Sequence, residues 1–231
     1  MRQRLTEVAS DAEAVFISRE NRFAVKVRGS FGVELAHLHD PGRLSEILRE
    51  GTPLLLKRAD SPRRKTRWDV IAGWCEGQWV FIHSGYHSLF ARVMLEGGCL
   101  PLSVVSLKAE VRRNGSRIDF LAETHSGPVW IEVKGCTLAK DGVALFPDAP
   151  TSRGTRHIRE LADIVRRGGS AAVLFLVFRG DARVFRPNAD TDPAFARALT
   201  EAVTLGVEPF APVLSYDGRW VYFERFIPCG V

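Results

Sequence analysis

Asp119, Glu132 and Lys134 are three residues whose types and spacing suit phosphodiester chemistry. Glu132 and Lys134 lie two apart in the apolar run Val129-Trp130-Ile131-Glu132-Val133-Lys134, so on a strand both side chains leave the same face. Asp119 sits in Arg117-Ile118-Asp119-Phe120-Leu121, where alternation predicts Ile118 and Phe120 on the core side and Asp119 opposite. A hairpin closing at Gly127-Pro128 would bring Asp119 beside Glu132. Two convergent carboxylates are what Mg²⁺ uses, because it binds through one or two of them and keeps waters that phosphate oxygens can displace. Such an ion polarises a phosphodiester and acidifies a bound water. Lys134 would orient or deprotonate that water, or stabilise the phosphorane. The same E-x-K spacing also fits the solvated face of an edge strand, so spacing alone leaves both readings open.

Positioning these side chains requires a strand hairpin backed by buried elements, and the flanking pattern supplies candidates. Strands are expected at 103–110, 116–123 and 129–134, and a helix at 152–167 with Ile158, Leu161 and Val165 on its apolar face. The uninterrupted run Ala171 to Phe178 predicts a central strand covered on both faces. A further helix at 193–205 and a closing hairpin at Asp217-Gly218 complete an α/β sandwich. Upstream, alternating or apolar runs at 22–28, 33–38, 53–57, 68–74 and 79–82 predict five short strands, with a short helical pattern at 44–51. Five short strands are compatible with a small Greek-key barrel of the OB type. A helix is expected over 88–96, and the division falls at residues 1–85 and 86–231.

The chain carries a net charge of +5 with a pI near 9.3, a balance that favours polyanionic partners because neutralising phosphates releases counterions. Arg63, Arg64, Lys65 and Arg67, with Trp68 beside them, form a basic stretch that could track a phosphate backbone and stack a base. Phe31 and Trp74 are expected in the core. No apolar run approaches the roughly 18 residues of a spanning helix. The first thirty residues lack the apolar block of a secretory signal, so a cytoplasmic protein is expected. Cys75, Cys99, Cys136 and Cys229 occur singly, without C-x-x-C spacing, and read as reduced thiols.

Three blocks resemble, in order and spacing, the central blocks of the SfsA (sugar fermentation stimulation) family. They are Arg117 to Phe120, Ile131-Glu132-Val133-Lys134-Gly135-Cys136-Thr137-Leu138, and Phe146-Pro147-Asp148-Ala149-Pro150-Thr151-Ser152-Arg153-Gly154-Thr155-Arg156-His157. Asp40-Pro41-Gly42-Arg43-Leu44 and the basic stretch at 63–66 also look like family blocks. The resemblance implies fold class α/β (α+β): an N-terminal small OB-like β-barrel plus a C-terminal PD-(D/E)XK restriction-endonuclease-like α/β domain. It also implies Asp119, Glu132 and Lys134 as the catalytic set, with Mg²⁺ or Mn²⁺ held by Asp119 and Glu132 and by Glu110 as a further ligand. Thr151 would cap the following helix, whose first turns place Arg153, Arg156 and His157 near a DNA or RNA phosphate. The family usually has Gln-Lys at Thr155-Arg156, and tends to carry a Thr and an Asn within the segment 82–88. Two functions follow: a Mg²⁺-dependent nuclease, or a non-catalytic, sequence-nonspecific DNA-binding regulator linked to sugar (maltose) metabolism. No Gly-rich nucleotide loop points to a sugar enzyme.

Overall fold

A computed structural model of the protein describes residues 2–59, 64–113 and 115–231. The strand β1 (Gln3–Glu7) leads into five strands, β2 (Ala12–Asn21), β3 (Ala24–Gly29), β4 (Gly32–His37), β5 (Pro53–Arg58) and β6 (Trp68–Cys75), followed by β7 (Gln78–Phe81). Strand β2 pairs with β3 and β5, β3 with β4, and β5 with β6, all antiparallel. A short parallel pairing of β4 with β6 closes the ring. This partly open five-stranded ring is the OB arrangement. Val25, Val27, Ala36, Leu54, Leu56 and Val70 are fully buried.

A 3₁₀ turn (Ser84–Tyr86) and helix α1 (His87–Glu96) lead into the second unit. Its strands and helices follow as β8 (Val104–Arg113), β9 (Ser116–Thr124), β10 (Gly127–Cys136), β11 (Ala139–Lys140), β12 (Val143–Phe146), α2 (Ser152–Arg166), β13 (Ser170–Val177), β14 (Val184–Pro187), α3 (Pro193–Leu205), β15 (Glu208–Phe210), β16 (Pro212–Tyr216) and β17 (Trp220–Phe226). The main sheet runs β16-β13-β10-β9-β8, with β13 parallel to both β10 and β16. Alternate residues of β13 explain its unbroken apolar run. Ala172, Leu174 and Leu176 enter the core shared with α1, while Val173, Phe175 and Val177 enter the core under α2 and α3. Thr151 Oγ1 accepts from Gly154 N at 3.1 Å and Asp192 Oδ1 from Phe195 N at 2.9 Å, capping α2 and α3.

Several elements differ from the sequence expectation. Residues 44–51 make turns rather than a helix, because Leu44 takes a positive φ of 50° and both Leu44 and Ile47 are drawn fully into the barrel core. Trp68 is 9% exposed and stacked on Phe31 with centroids 4.8 Å apart, so its ring faces the core and is not free to stack a base. Trp74 is 41% exposed, on the outward face of β6. The N-terminal β1 pairs with β17 of the second unit, not with the barrel.

The two units share a continuous core. Phe81 of β7 meets Phe90 of α1, Phe178 after β13, and Tyr216 of β16, with ring centroids 5.1–5.6 Å apart. The Tyr216 hydroxyl donates to Val8 O at 2.5 Å. A shared core predicts that the units melt together. Phe81→Ala is expected to cost about 3–5 kcal/mol, lowering Tm by roughly 6–20 °C in a single calorimetric transition. Two separated transitions in the parent protein would show that the units unfold independently.

Candidate nuclease-type site and its relatives

The site begins where β9 leaves β10. Their ladder runs from Gly127↔Thr124 to Ile131↔Phe120 and then stops. One step further, Asp119 Oδ2 accepts the Val133 N–H at 2.7 Å, so a side chain replaces the backbone carbonyl that a continuing ladder would offer. The strand changes face at the same point, since Ile118 packs in the core under α2 and Phe120 in the core with α1. Simple alternation would have put both on one face.

Glu132 is 1% exposed and points toward α2. Its Oε1 accepts from Lys134 Nζ and contacts His157 Nδ1, while its Oε2 is buried with no partner among the described residues. Burial alone would raise the Glu132 pKa, but the adjacent Lys134 and His157 bring it below the ordinary value. Burial raises the Asp119 pKa, and neighbouring Glu132 adds to the effect. The two carboxylates are thus driven apart: Glu132 is held ionised, and Asp119 holds its proton longer than a free aspartate.

A cleft of about 340 Å³ opens beside this cluster. Lys134, Arg153, Asp148 and His87 line it from the second unit, and Arg22, Asp40 and Gly42 from the barrel. The Asp148 carboxylate occupies the space where a side chain at Gly42 would sit, and accepts from Leu44 N at 3.2 Å. Burial pushes the Asp40 carboxyl up to about 6, opposed by the Gly42 N–H and assisted by Asp148. His87, at the start of α1, lies against Gly135, where a Cβ would strike its ring. Its Nε2 is buried without a partner among the described residues. Burial, with His83 and Lys134 nearby, pushes its pKa down to about 3, so the imidazole is neutral.

The remaining expected site residues fall in different places. Glu110 stands opposite Asp119 across the β8–β9 ladder, but takes a positive φ of 56° and directs an exposed carboxylate to Arg117 at 3.3 Å. It is not part of the buried cluster. His157, expected among the phosphate contacts, is 3% exposed and committed to Glu132, because its position in α2 faces the sheet rather than solvent. Arg153 and Arg156 are exposed on the first turns of α2, and Arg153 reaches the cleft. The Thr155 hydroxyl donates to the Thr151 carbonyl four residues back, at 3.1 Å, so it is spent within its own helix. Arg64 spans both oxygens of Asp69, at 2.6 and 2.7 Å. Lys65 is exposed, Arg67 pairs with Glu34, and Arg63 lies outside the described residues. Residues with no local signal join them: His87, Asp40 and Asp148 in the cleft, and Arg112, Arg113 and Arg117 at the β8–β9 hairpin tip. Asp40 and Asp148 did lie in quoted blocks, but nothing local said that those blocks meet.

The fold defines an OB barrel fused to an α/β unit, with a cleft at the join beside the buried carboxylate–lysine cluster. Residues 17–82 match the family model described as the SfsA N-terminal OB domain, and residues 86–219 that of the sugar fermentation stimulation protein RE domain. A sugar fermentation stimulation protein homolog of Methanococcoides burtonii is 39% identical, covering 96% of this chain and 93% of its own. A homolog of Thermotoga maritima is 42% identical over 92% of each chain. The solved structure of Pyrococcus furiosus SfsA in complex with Ca²⁺ has a TM-score of 0.91 at 28% identity, covering 99% of both chains. The chain belongs to the SfsA family.

The split carboxylates carry a stability signature. The folded Asp119 pKa lies above that of an unfolded aspartate, about 3.9. The penalty for ionising it is therefore absent below the unfolded pKa and complete above the folded one. In metal-free protein, Asp119→Asn, which keeps an oxygen for Val133 N, is expected to be more stable than the parent near neutral pH, with a higher Tm. Melts from about pH 4 to about pH 8 should show that gain shrinking toward acid. A pH-independent difference would mean that Asp119 is not the strained carboxylate.

Proposed function

We propose that this protein is a Mg²⁺-dependent nuclease that hydrolyses DNA or RNA phosphodiesters at Asp119, Glu132 and Lys134. The observation that carries the reading is the unpartnered, buried Oε2 of Glu132 beside the Asp119 carboxylate. A buried acceptor with no donor is costly, and a hard cation with oxygen preference would satisfy it. Asp119 and Glu132 would hold Mg²⁺ or Mn²⁺. The Ca²⁺ of the Pyrococcus furiosus protein is likewise an ion of oxygen ligands. When bound, the ion would polarise the phosphodiester and lower the pKa of a coordinated water.

The chain's own residues supply the rest. Lys134, 14% exposed and held on Glu132, stands where it can orient the attacking water or stabilise charge on the phosphorane. His157 holds the Glu132 carboxylate from behind and fixes its orientation. Arg153 in the cleft supplies positive charge for the scissile strand, and exposed Arg156 extends it along α2. Arg112, Arg113 and Arg117 on the hairpin, with Lys65 and Arg67 of the barrel, offer further phosphate contacts. In this reading the working units are residues 1–85, which help bind nucleic acid, and 86–231, a PD-(D/E)XK-type unit that cuts it. Neutral His87 contributes an uncharged donor or acceptor toward the cleft.

Labelled single- and double-stranded DNA and RNA, incubated with Mg²⁺, Mn²⁺ or EDTA, test the proposal. Metal-dependent cutting is expected, falling at least about 10²-fold in Lys134→Ala and more in Asp119→Ala. Binding without cutting under every metal, unchanged in both variants, would leave a nucleic-acid-binding protein without catalysis.

A further inference from the structure

We propose that His39, Asp69 and His83 form a second metal site, distinct from the carboxylate pair, that takes a borderline transition ion of the Zn²⁺ class. One potential ligand atom from each residue lies within 4.8 Å of the other two. The three come from separate segments that barrel closure brings together. His39 follows β4, Asp69 is on β6 opposite His37 in the parallel pairing that closes the ring, and His83 follows β7. His39 Nε2 already contacts Asp69 Oδ1 at 3.1 Å, and the His39 and His83 rings stack with centroids 3.7 Å apart.

One observation points to a ligand rather than a packing motif. His83 is 8% exposed, and its Nδ1 is buried with no hydrogen-bond partner among the described residues. A buried imidazole nitrogen left unpaired is unfavourable unless something binds it. A metal must share Asp69 with a cation already there, since Arg64 spans both of its oxygens at 2.6 and 2.7 Å. A metal ion would take Oδ1, where His39 converges, and leave Oδ2 to the guanidinium.

The donor set selects the ion. Two imidazoles and one carboxylate suit Zn²⁺, Co²⁺ or Ni²⁺, whereas Mg²⁺ and Ca²⁺ prefer oxygen throughout. Tetrahedral ligand atoms at about 2.05 Å from zinc stand about 3.3 Å apart, so binding must draw the widest separation inward by rotation of the side chains. The His83 ring packs directly against Gly85, where a Cβ would lie 2.9 Å from its Cε1, so a side chain at 85 would displace the ring. Solvent supplies the fourth position. The site would tie the β4 exit to the β7 exit, next to Asp40 and Ser84 on the wall of the cleft. Ser84 Oγ already donates to His39 O at 2.7 Å.

The full chain, stripped with EDTA, is dialysed against Zn²⁺ in excess Mg²⁺, which occupies an oxygen-only site, and bound zinc is counted. Co²⁺ replaces Zn²⁺ in a parallel series read by its visible d–d absorption. One equivalent is expected in the parent and in Asp119→Asn. Affinity should fall about 100-fold or more in His83→Asn and in His39→Ala, since even losing a partner behind a ligand costs 10- to 100-fold. Arg64→Ala, which removes the competing cation, should bind more tightly. Metal-free melts of each variant establish that it is folded. Zinc binding lost in Asp119→Asn but kept in both folded histidine variants, or no binding in the parent, would overturn the proposal.

Discussion

A carboxylate buried in a sheet must be matched by charge or by hydrogen bonds, and Glu132 sets that requirement for the whole second unit. Lys134 answers it from the same face of the same strand, and His157 from the helix that covers that face. The helix can do so only because α2 lies across β10 and β13, held by Ile158, Leu161 and Ile164 against Phe175 and Val177. The match is incomplete: one Glu132 oxygen has no partner among the described residues. A core designed only for stability would use apolar residues here, which is why the proposed function is placed at this cluster.

The local backbone irregularity follows from the same constraint. A regular β9–β10 ladder would give the Val133 N–H to a main-chain carbonyl and leave Asp119 facing solvent or core according to parity. Instead the Asp119 carboxylate takes that N–H, β9 shifts face, and two carboxylates come together. The left-handed Glu110 stands opposite, on β8. The distortion costs ladder hydrogen bonds and places charge next to charge, the kind of local strain that persists where surrounding structure enforces it.

The two units are joined through packed contacts rather than by a bare linker. Phe81, Phe90, Phe178 and Tyr216 form one aromatic cluster, β1 crosses to β17, and Asp148 fills the place a side chain would take at Gly42. Residues more than a hundred positions apart thereby share one cleft, with Asp40 near Asp148 and both Arg22 and Arg153 on its lining. The OB barrel is thus part of the wall of the cleft and not an appended module.

Periodicity along the chain was sufficient for most elements, because each is decided by residues within one turn or one pleat of each other. The double-sided apolar run of β13, the amphipathic α2 with its Thr151 cap, and the shared face of Glu132 and Lys134 all follow from such local spacing. The hairpin at Gly127-Pro128 likewise put Asp119 beside Glu132, and the resemblance added the roles that spacing left open. What only the tertiary structure decided were relations between distant segments. It buried His157 on Glu132 rather than leaving it for phosphate, and turned Trp68 inward under Phe31. It also unwound the expected helix at 44–51 and gathered His39, Asp69 and His83 at one seam. A helix's pattern tells which face is apolar but not which charged group across the gap will claim a polar residue on that face. That choice depends on distances between elements, and those exist only once the chain has closed on itself.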